Sequence, residues 1–293
     1  MPQQCLKNVL TGEPETLLAI MSVFRRAIAL FFTALAVPAL GAQNLPRFYN
    51  ETMNFRIEWK GIRAGDVTMR TRTEGDKHIT INARVNSLSA VHGIYYVQGV
   101  FASKWNHVTR TPVIAFEEAY QGDAYQRRKF RFGNGKVNVD KDEKKFYEHS
   151  YPHSPTPKGT WKENYDVSTK GGYQDLLGAF YLVRSTGRVP RVGETLKIPV
   201  LPAGTRRSLV LKVLGREVRN DVPFFGTREI FHVRSMLVDD VNKTSMGSNM
   251  FFNTETQIEM WITADADFVP VKLWTDVPYL GTAYILLENY TQP

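Results

Sequence analysis

Apolar and polar residues alternate along most of the chain after residue 50. Phe55, Ile57 and Trp59 alternate with polar neighbours, and the runs Val67–Thr71 and Ile79–Val85 repeat the pattern. A period of two places the apolar side chains on one face of a β-strand. We therefore predict half-buried strands in these three runs. The same pattern predicts further strands at Gly99–Asn106, Ile114–Tyr120, Tyr125–Phe132, Lys136–Asp140, Lys145–His149, Leu209–Glu217, Glu229–Leu237, Thr256–Thr263, Val269–Thr275 and Gly281–Glu288.

One segment has helical periodicity instead. Leu176, Leu177, Phe180 and Tyr181 recur at spacings of three and four residues, which predicts a helix over 173–185. A stretch rich in proline and glycine, residues 151–172, precedes it and predicts a link between two sets of strands.

This order of elements predicts a mainly β fold. We expect a large antiparallel curled sheet, or open half-barrel, with one short helix packed in or against its concave face, because a sheet must hide its apolar side. We predict a single domain over residues 43–293. It comprises N-terminal strands in 48–150, the link 151–172, the helix 173–185 and C-terminal strands in 192–290.

The segment 21–42 has the three parts of a secretory signal peptide. Arg25 and Arg26 form the positive region, and the apolar run Ala27–Ala39 is shorter than the about 20 residues that cross a bilayer. Small residues follow, so we predict cleavage near Gly41 or Ala42 and no transmembrane span in the mature protein. A single membrane anchor is the alternative. Export to the periplasm, or elsewhere in the cell envelope, is the predicted location.

Residues 1–20 fit no targeting pattern. They are interpreted as a possible extension of the gene model, which leaves both Met1 and Met21 as candidate start residues.

Composition narrows the class of protein. The 293 residues contain 37 Lys and Arg against 29 Asp and Glu, and one cysteine, Cys5. A single cysteine excludes a disulfide scaffold or a cysteine-rich metal centre within one chain. The net charge of +8 is mild for a nucleic-acid-binding protein, and we predict no nucleic-acid partner.

Patterns that carry catalytic chemistry are missing from the sequence. It contains no phosphate-binding loop, nucleophile elbow or zinc-binding His-Glu-x-x-His motif. Asp265 and Asp267 fall in a predicted hairpin turn, where aspartate caps its own backbone. We therefore predict no catalytic residues, no metal site and no cofactor, and an envelope hydrolase is only the third functional option.

One basic cluster is a candidate anion site. Arg127, Arg128, Lys129 and Arg131 follow one another closely and could hold phosphate groups of an envelope lipid or polysaccharide. The alternative is a hairpin whose phenylalanines, Phe130 and Phe132, point inward beneath a solvated cationic face.

Aromatic residues supply a second candidate site. A sheet wrapped on one short helix leaves apolar volume that can form a lipid-sized cavity, and we predict a lining of Trp59, Phe101, Trp105, Tyr181 and Trp261. The alternative is that these side chains fill the core.

Three stretches resemble the bacterial family known as domain of unknown function 3108. The first is Trp59–Gly65, the second runs from Asp175 to Arg184, and the third contains Trp261-Ile262-Thr263, Asp265, Asp267, Pro270-Val271-Lys272 and Gly281. The resemblance covers Phe48 to Tyr290 and implies a periplasmic protein with an open β-barrel similar to lipoprotein carriers. It implies no known reaction. An inward Arg184 would need a carboxylate partner, for which Asp175 is the candidate.

These observations favour a protein that binds or carries a hydrophobic or amphiphilic ligand such as a lipid or lipid-linked molecule. The alternative is a non-catalytic structural or interaction protein that docks on an envelope protein partner through a sheet edge.

Overall fold

The computed structural model describes residues 48–92, 96–146, 156–169, 172–239, 257–277 and 281–292. One α-helix, α1, spans Leu176–Arg184. The strands are β1 Thr52–Trp59, β2 Ile62–Glu74, β3 His78–Ser87, β4 Val97–Asn106, β5 Thr111–Gln121, β6 Ala124–Gly133, β7 Lys136–Lys145, β8 Gly159–Ser168, β9 Thr195–Val200, β10 Arg207–Val222, β11 Gly226–Asp239, β12 Ile258–Thr263, β13 Pro270–Val277 and β14 Gly281–Thr291.

All of these strands form one antiparallel sheet that is not closed into a barrel. Its order is β8-β7-β6-β5-β4-β3-β2-β1-β14-β13-β12-β11-β10-β9. Neighbours in space are therefore neighbours in sequence, except that β1 pairs with β14, from Thr52 opposite Thr291 to Trp59 opposite Ala283. This pairing is a central seam that joins the first strand to the last, while β8 and β9 are the edges.

The sheet has a buried inner face and a more polar outer face. Met53, Phe55 and Ile57 of β1 alternate with partly exposed residues, and Ile285 and Leu287 of β14 lie on the same inner face. α1 packs on this face and contacts both β4 and β9. Because β4 and β9 are far apart in the strand order, the sheet must curl around the helix for both to touch it. The predicted curled sheet with one helix against its concave face is confirmed.

The turn between β9 and β10 extends this closure. Leu201 packs in a small apolar cluster with Phe130 and Val139, so the turn covers the inner face of β6 and β7. Gly204 in the turn has φ +80°, and a Cβ at this position would overlap the hydroxyl oxygen of Tyr165 on β8. Glycine is required here both by the backbone conformation and by the close approach.

Several element boundaries differ from the sequence prediction. β7 is one strand through Lys145, where two were predicted, and residues 147–149 of the second lie outside the described residues. The predicted link contains a strand, β8, and β9 was also missed. In β8 the apolar residues Trp161, Tyr165 and Val167 share one phase, but Glu163 interrupts their alternation with polar residues. The helix begins later than predicted, after Asp175.

Candidate functional site

The N-terminal end of α1 is fixed to β4 by two buried polar residues. Asp175 caps the helix, because its Oδ1 accepts a hydrogen bond from the Gly178 amide at 2.9 Å. Its Oδ2 accepts from Ser103 Oγ at 2.8 Å. The preceding residue, Gln174, accepts from the Trp105 indole nitrogen through its Oε1 at 3.1 Å. These contacts hold the helix start over the inner face of β4.

The C-terminal end of α1 is fixed by a buried ion pair. Both terminal nitrogens of Arg184 bind the carboxylate of Glu51, with Nη2 2.8 Å from Oε2, and Arg184 Nε donates to the carbonyl of Asp267 at 2.8 Å. The Tyr181 hydroxyl donates to Glu51 Oε1 at 2.7 Å, and the Tyr290 hydroxyl donates to Oε2 at 3.3 Å. The partner of Arg184 is therefore Glu51, and the expectation of Asp175 was wrong because Asp175 caps the other end of the helix.

The electrostatics of this ion pair follow from its burial. Burial opposes the charge of the Arg184 guanidinium, but the Glu51 carboxylate outweighs that effect and raises the pKa of Arg184. Burial and the negative charge of Glu51 raise the pKa of Tyr181 well above its usual value, so this hydroxyl stays protonated and donates. The site is therefore a fixed charge pair in which the Arg184 guanidinium and the Tyr181 hydroxyl both keep their protons.

A second set of polar side chains lies on the inner face, on the four neighbouring strands β5 to β8. Four charged residues stand directly opposite one another across these four strands. We call them the inner charged row: Glu117, Arg128, Lys141 and Glu163. Arg128 Nη1 lies 3.6 Å from Glu117 Oε2, and Lys141 Nζ lies 3.4 Å from Glu163 Oε2. Exposure rises along the row, from the nearly buried Arg128 to Glu163, whose side chain is 54% exposed. The row therefore leads from the interior to the solvent.

Apolar side chains stand on both sides of the inner charged row, joined on the side of Trp161 by the polar residues Gln126 and Glu143. Ala115, Phe130, Val139 and Tyr165 form the neighbouring row, and Trp161 lies two residues before Glu163 on the same face of β8. Phe101 of β4 stands directly opposite Glu117. The inner face here is amphiphilic, with charges of both signs between apolar surfaces.

Two carboxyl groups near this row have raised pKa values. Burial, reinforced by the negative charge of Asp175 and opposed by Arg128, raises the pKa of Glu117 to about 7. Burial raises the pKa of Asp175 to about 6, against hydrogen bonds from Gly178 and Ser103 that favour the charged form. These two groups are the ones here that change protonation near neutral pH.

Four of the five predicted cavity residues lie in the interior. Trp59, Phe101 and Trp105 point to the inner face, and Tyr181 of α1 contacts Glu51. All four are at least 90% buried. Phe101 is the one that borders the inner charged row.

The structure does not bring Trp261 together with the other four. The strand register places Met260, Leu273 and Ile285 on the inner face. Trp261 is the next residue after Met260 and therefore lies on the outer face, opposite Lys272. The Lys272 ammonium lies 4.5 Å from the centre of a Trp261 ring. Trp261 is covered there by cationic side chains.

The structure also divides the basic cluster between the two faces of the sheet. Arg128 points inward and pairs with Glu117 and Glu143. Arg127, Lys129 and Arg131 point outward, where Arg127 Nη2 lies 3.5 Å from Asp142 Oδ2 and Arg131 donates to Asn138 Oδ1 at 3.0 Å. Phe130 is buried and Phe132 partly so, as the hairpin interpretation expects.

Sequence reasoning missed Glu51 and Glu117. Glu51 lies just before the first alternating run and has no local partner. Glu117 did carry a signal, because it falls between Ala115 and Ala119 in the apolar phase of β5. A charged residue in that phase predicts an inward-facing polar group.

In the described ranges no group of three His, Cys, Asp or Glu residues is placed to hold a metal ion. No helix within those ranges is long and apolar enough to cross a membrane.

The fold and its buried charges define a class: an open, barrel-like antiparallel sheet that, in the part of the chain the structure describes, curls around one short helix. The chain belongs to the DUF3108 family of proteins of unknown function, whose sequence profile matches residues 54–288. No curated protein matches the chain.

Several solved structures match the chain, and two of them are described here. A β-barrel-like protein of domain of unknown function DUF1849 from Brucella abortus shares 10% identity at a TM-score of 0.53, over 83% of this chain and 98% of that one. A putative exported protein with a YmcC-like fold from Bacteroides fragilis shares 7% identity at a TM-score of 0.33, over 85% of this chain and 98% of that one. The first likeness supports the fold alone.

Replacing Arg184 with methionine should lower the free energy of unfolding by about 3–5 kcal/mol, because it leaves the Glu51 carboxylate buried without its cation. The control is Arg188→Met, which removes an arginine paired at 2.7 Å with Glu194 at the surface. That change should cost at most about 1 kcal/mol. Urea unfolding measures both, and equal losses would contradict a structural role for the buried pair.

The raised pKa of Glu117 predicts a pH-dependent stability. A carboxyl group that binds its proton more tightly in the folded state stabilises the fold fully below the unfolded pKa, and this contribution is lost as pH rises through the folded pKa. Between its ordinary pKa of 4.5 and about 7, wild type should therefore lose about 1–3 kcal/mol relative to Glu117→Gln. Urea unfolding across this range measures the difference. Parallel curves for wild type and Glu117→Gln would refute the assignment.

Proposed function

We propose that this protein binds or carries an amphiphilic ligand, such as a lipid or lipid-linked molecule, at the inner charged row. The observation that carries the proposal is the position of this row, which crosses an inner face with apolar side chains on both sides of it and reaches solvent at β8. Charges of both signs are available to a polar head group, and apolar side chains on either side are available to a chain.

The place of the ligand follows from what α1 covers. The helix packs against β4 and β9, whereas Trp161 on the inner face of β8 is 50% exposed. Exposed tryptophan costs free energy in water, and its burial by an acyl chain recovers about 25 cal/mol per Å². The head group would pair with Lys141 and Glu163, and the chain would lie over Trp161 and extend toward Phe101, Trp105, Tyr181 and Trp59.

Ligand binding is tested by calorimetry on delipidated protein with oleate and with phosphatidylethanolamine. We expect saturable binding in the micromolar range, and Trp161→Ala should weaken it about tenfold through lost apolar contact. The matched control is Phe224→Ala, since Phe224 is also 50% exposed but lies in the turn between β10 and β11. Absence of binding at about 100 µM, or equal weakening by both substitutions, would contradict the proposal.

A docking module is the second candidate. Its support is β8, a ten-residue edge strand that pairs among the described residues with β7. An exposed edge can accept a strand from a protein partner in the envelope. Such a module would not respond to either lipid, so the same titration separates the two candidates.

The proposal places the protein outside the cytoplasm, in the periplasm or cell envelope. Its support is the charged, apolar and small-residue order of 21–42. N-terminal sequencing of native protein from the envelope fraction should find a chain that begins near Gln43. Recovery of chains beginning at Met1 or Met21 would contradict cleavage.

A further inference from the structure

Three arginines cluster on the outer face of β2 and β3. Arg70 and Arg72 alternate with the buried residues Met69 and Thr71, and Arg84 lies between the buried Ala83 and Val85. All three side chains are exposed. They lie on the opposite side of the sheet from the inner charged row.

The strand register brings these arginines close together. Thr68 stands opposite Arg84, and Arg70 stands opposite Asn82. Arg70 and Arg84 are therefore diagonal neighbours, about 7–8 Å apart at the backbone, and Arg72 follows Arg70 on the same face. We call Arg70, Arg72 and Arg84 the outer arginine triad.

Neighbouring carboxylates are engaged elsewhere. Asp66 binds Arg63 at 2.6 Å, and Glu74 binds Lys104 at 2.6 Å and accepts from Thr80. Within the described ranges no carboxylate oxygen lies within 4 Å of a triad guanidinium nitrogen, and the triad makes no hydrogen bond there. This contrasts with Arg56, Arg63, Arg127 and Arg128, each of which pairs with a carboxylate.

The triad surrounds open space. A depression of about 430 Å³ is lined by the three arginines together with Thr68, Asn82 and Val100. A second depression, of about 420 Å³, lies against Arg70 and Arg72 on the side of Asn50 and Thr52. Arg70 and Arg72 therefore lie between the two depressions, with hydroxyl and amide groups around them.

We propose that the outer arginine triad is an anion site for a ligand with clustered phosphate groups. Guanidinium presents parallel N–H donors that match phosphate oxygens in pairs. Three guanidinium groups without a neighbouring carboxylate repel one another. An anion with several charges can interact favourably with all three groups at once, whereas a single carboxylate cannot. Soluble phosphates and the head groups of anionic lipids share this chemistry.

The test measures the binding of pyrophosphate by calorimetry and of phosphatidylglycerol vesicles by co-sedimentation. Replacing all three triad arginines with glutamine should weaken binding at least about tenfold, because each charge-assisted hydrogen bond to an anion contributes substantially. Replacing them with lysine should restore only part of the affinity, since lysine keeps the charge but loses the paired donors.

The control variant carries Arg127→Gln, Lys129→Gln and Arg131→Gln. It removes the same charge from the same outer face and should leave binding within about twofold, because carboxylates already neutralise part of that group. Unfolding midpoints within error of wild type establish that each variant folds.

Every outcome of these measurements either supports the anion site or contradicts it. Binding of pyrophosphate identifies a soluble phosphate and binding of vesicles alone identifies a lipid head group, and loss of either in the triad variant supports the site. Binding of neither probe, equal loss in the control variant, or citrate binding as tight as pyrophosphate would overturn it. The site lies on the face opposite Trp161, so its failure and that of the proposed lipid site are independent.

Discussion

The buried pair of Glu51 and Arg184 is the interaction on which the arrangement of this fold depends. It joins the residue before β1 to the last turn of α1, and through Asp267 and Tyr290 it also reaches the β12–β13 turn and β14. Two charges removed from water gain stability only where hydrogen bonds satisfy their remaining atoms. Here the two tyrosine hydroxyls and one backbone carbonyl supply them. The helix is thereby held beneath the central seam.

A fixed helix divides the inner face into two regions with different chemistry. Beneath α1 the interior is largely apolar, with Trp105 and Phe180 both buried. Beyond the helix N-terminus the sheet continues through β5 to β8, and there the inner positions include Glu117, Arg128 and Lys141. The same cap residue, Asp175, ends the first region and adds to the effect of burial in raising the pKa of Glu117 in the second. Helix placement and site electrostatics are therefore coupled.

Much of this architecture could be predicted from local patterns, because alternation reports directly on strands with one buried face. It failed at β8, where Glu163 interrupts the apolar phase of Trp161, Tyr165 and Val167. It also failed for the partner of Arg184, since Glu51 lies 133 residues away and no local spacing connects them. The division of the basic cluster between the two faces could have been predicted from the sequence. Phe130 and Phe132 share a strand phase with Arg128, so their inward orientation implies that Arg128 also points inward. The outer arginine triad had no such signal, because its separation from carboxylates depends on the register of β2 and β3.

The central seam constrains the order in which the chain can fold. Every other strand pair in the sheet joins strands that are consecutive along the chain, and such local contacts form quickly. The seam instead pairs Thr52 with Thr291 and needs the final strand. Until β14 has been synthesised, β1 has a free edge and Glu51 lacks the Tyr290 hydroxyl. The two halves of the sheet therefore join only after β14 has been made, and a chain interrupted before β14 would leave the edge of β1 open to aggregation.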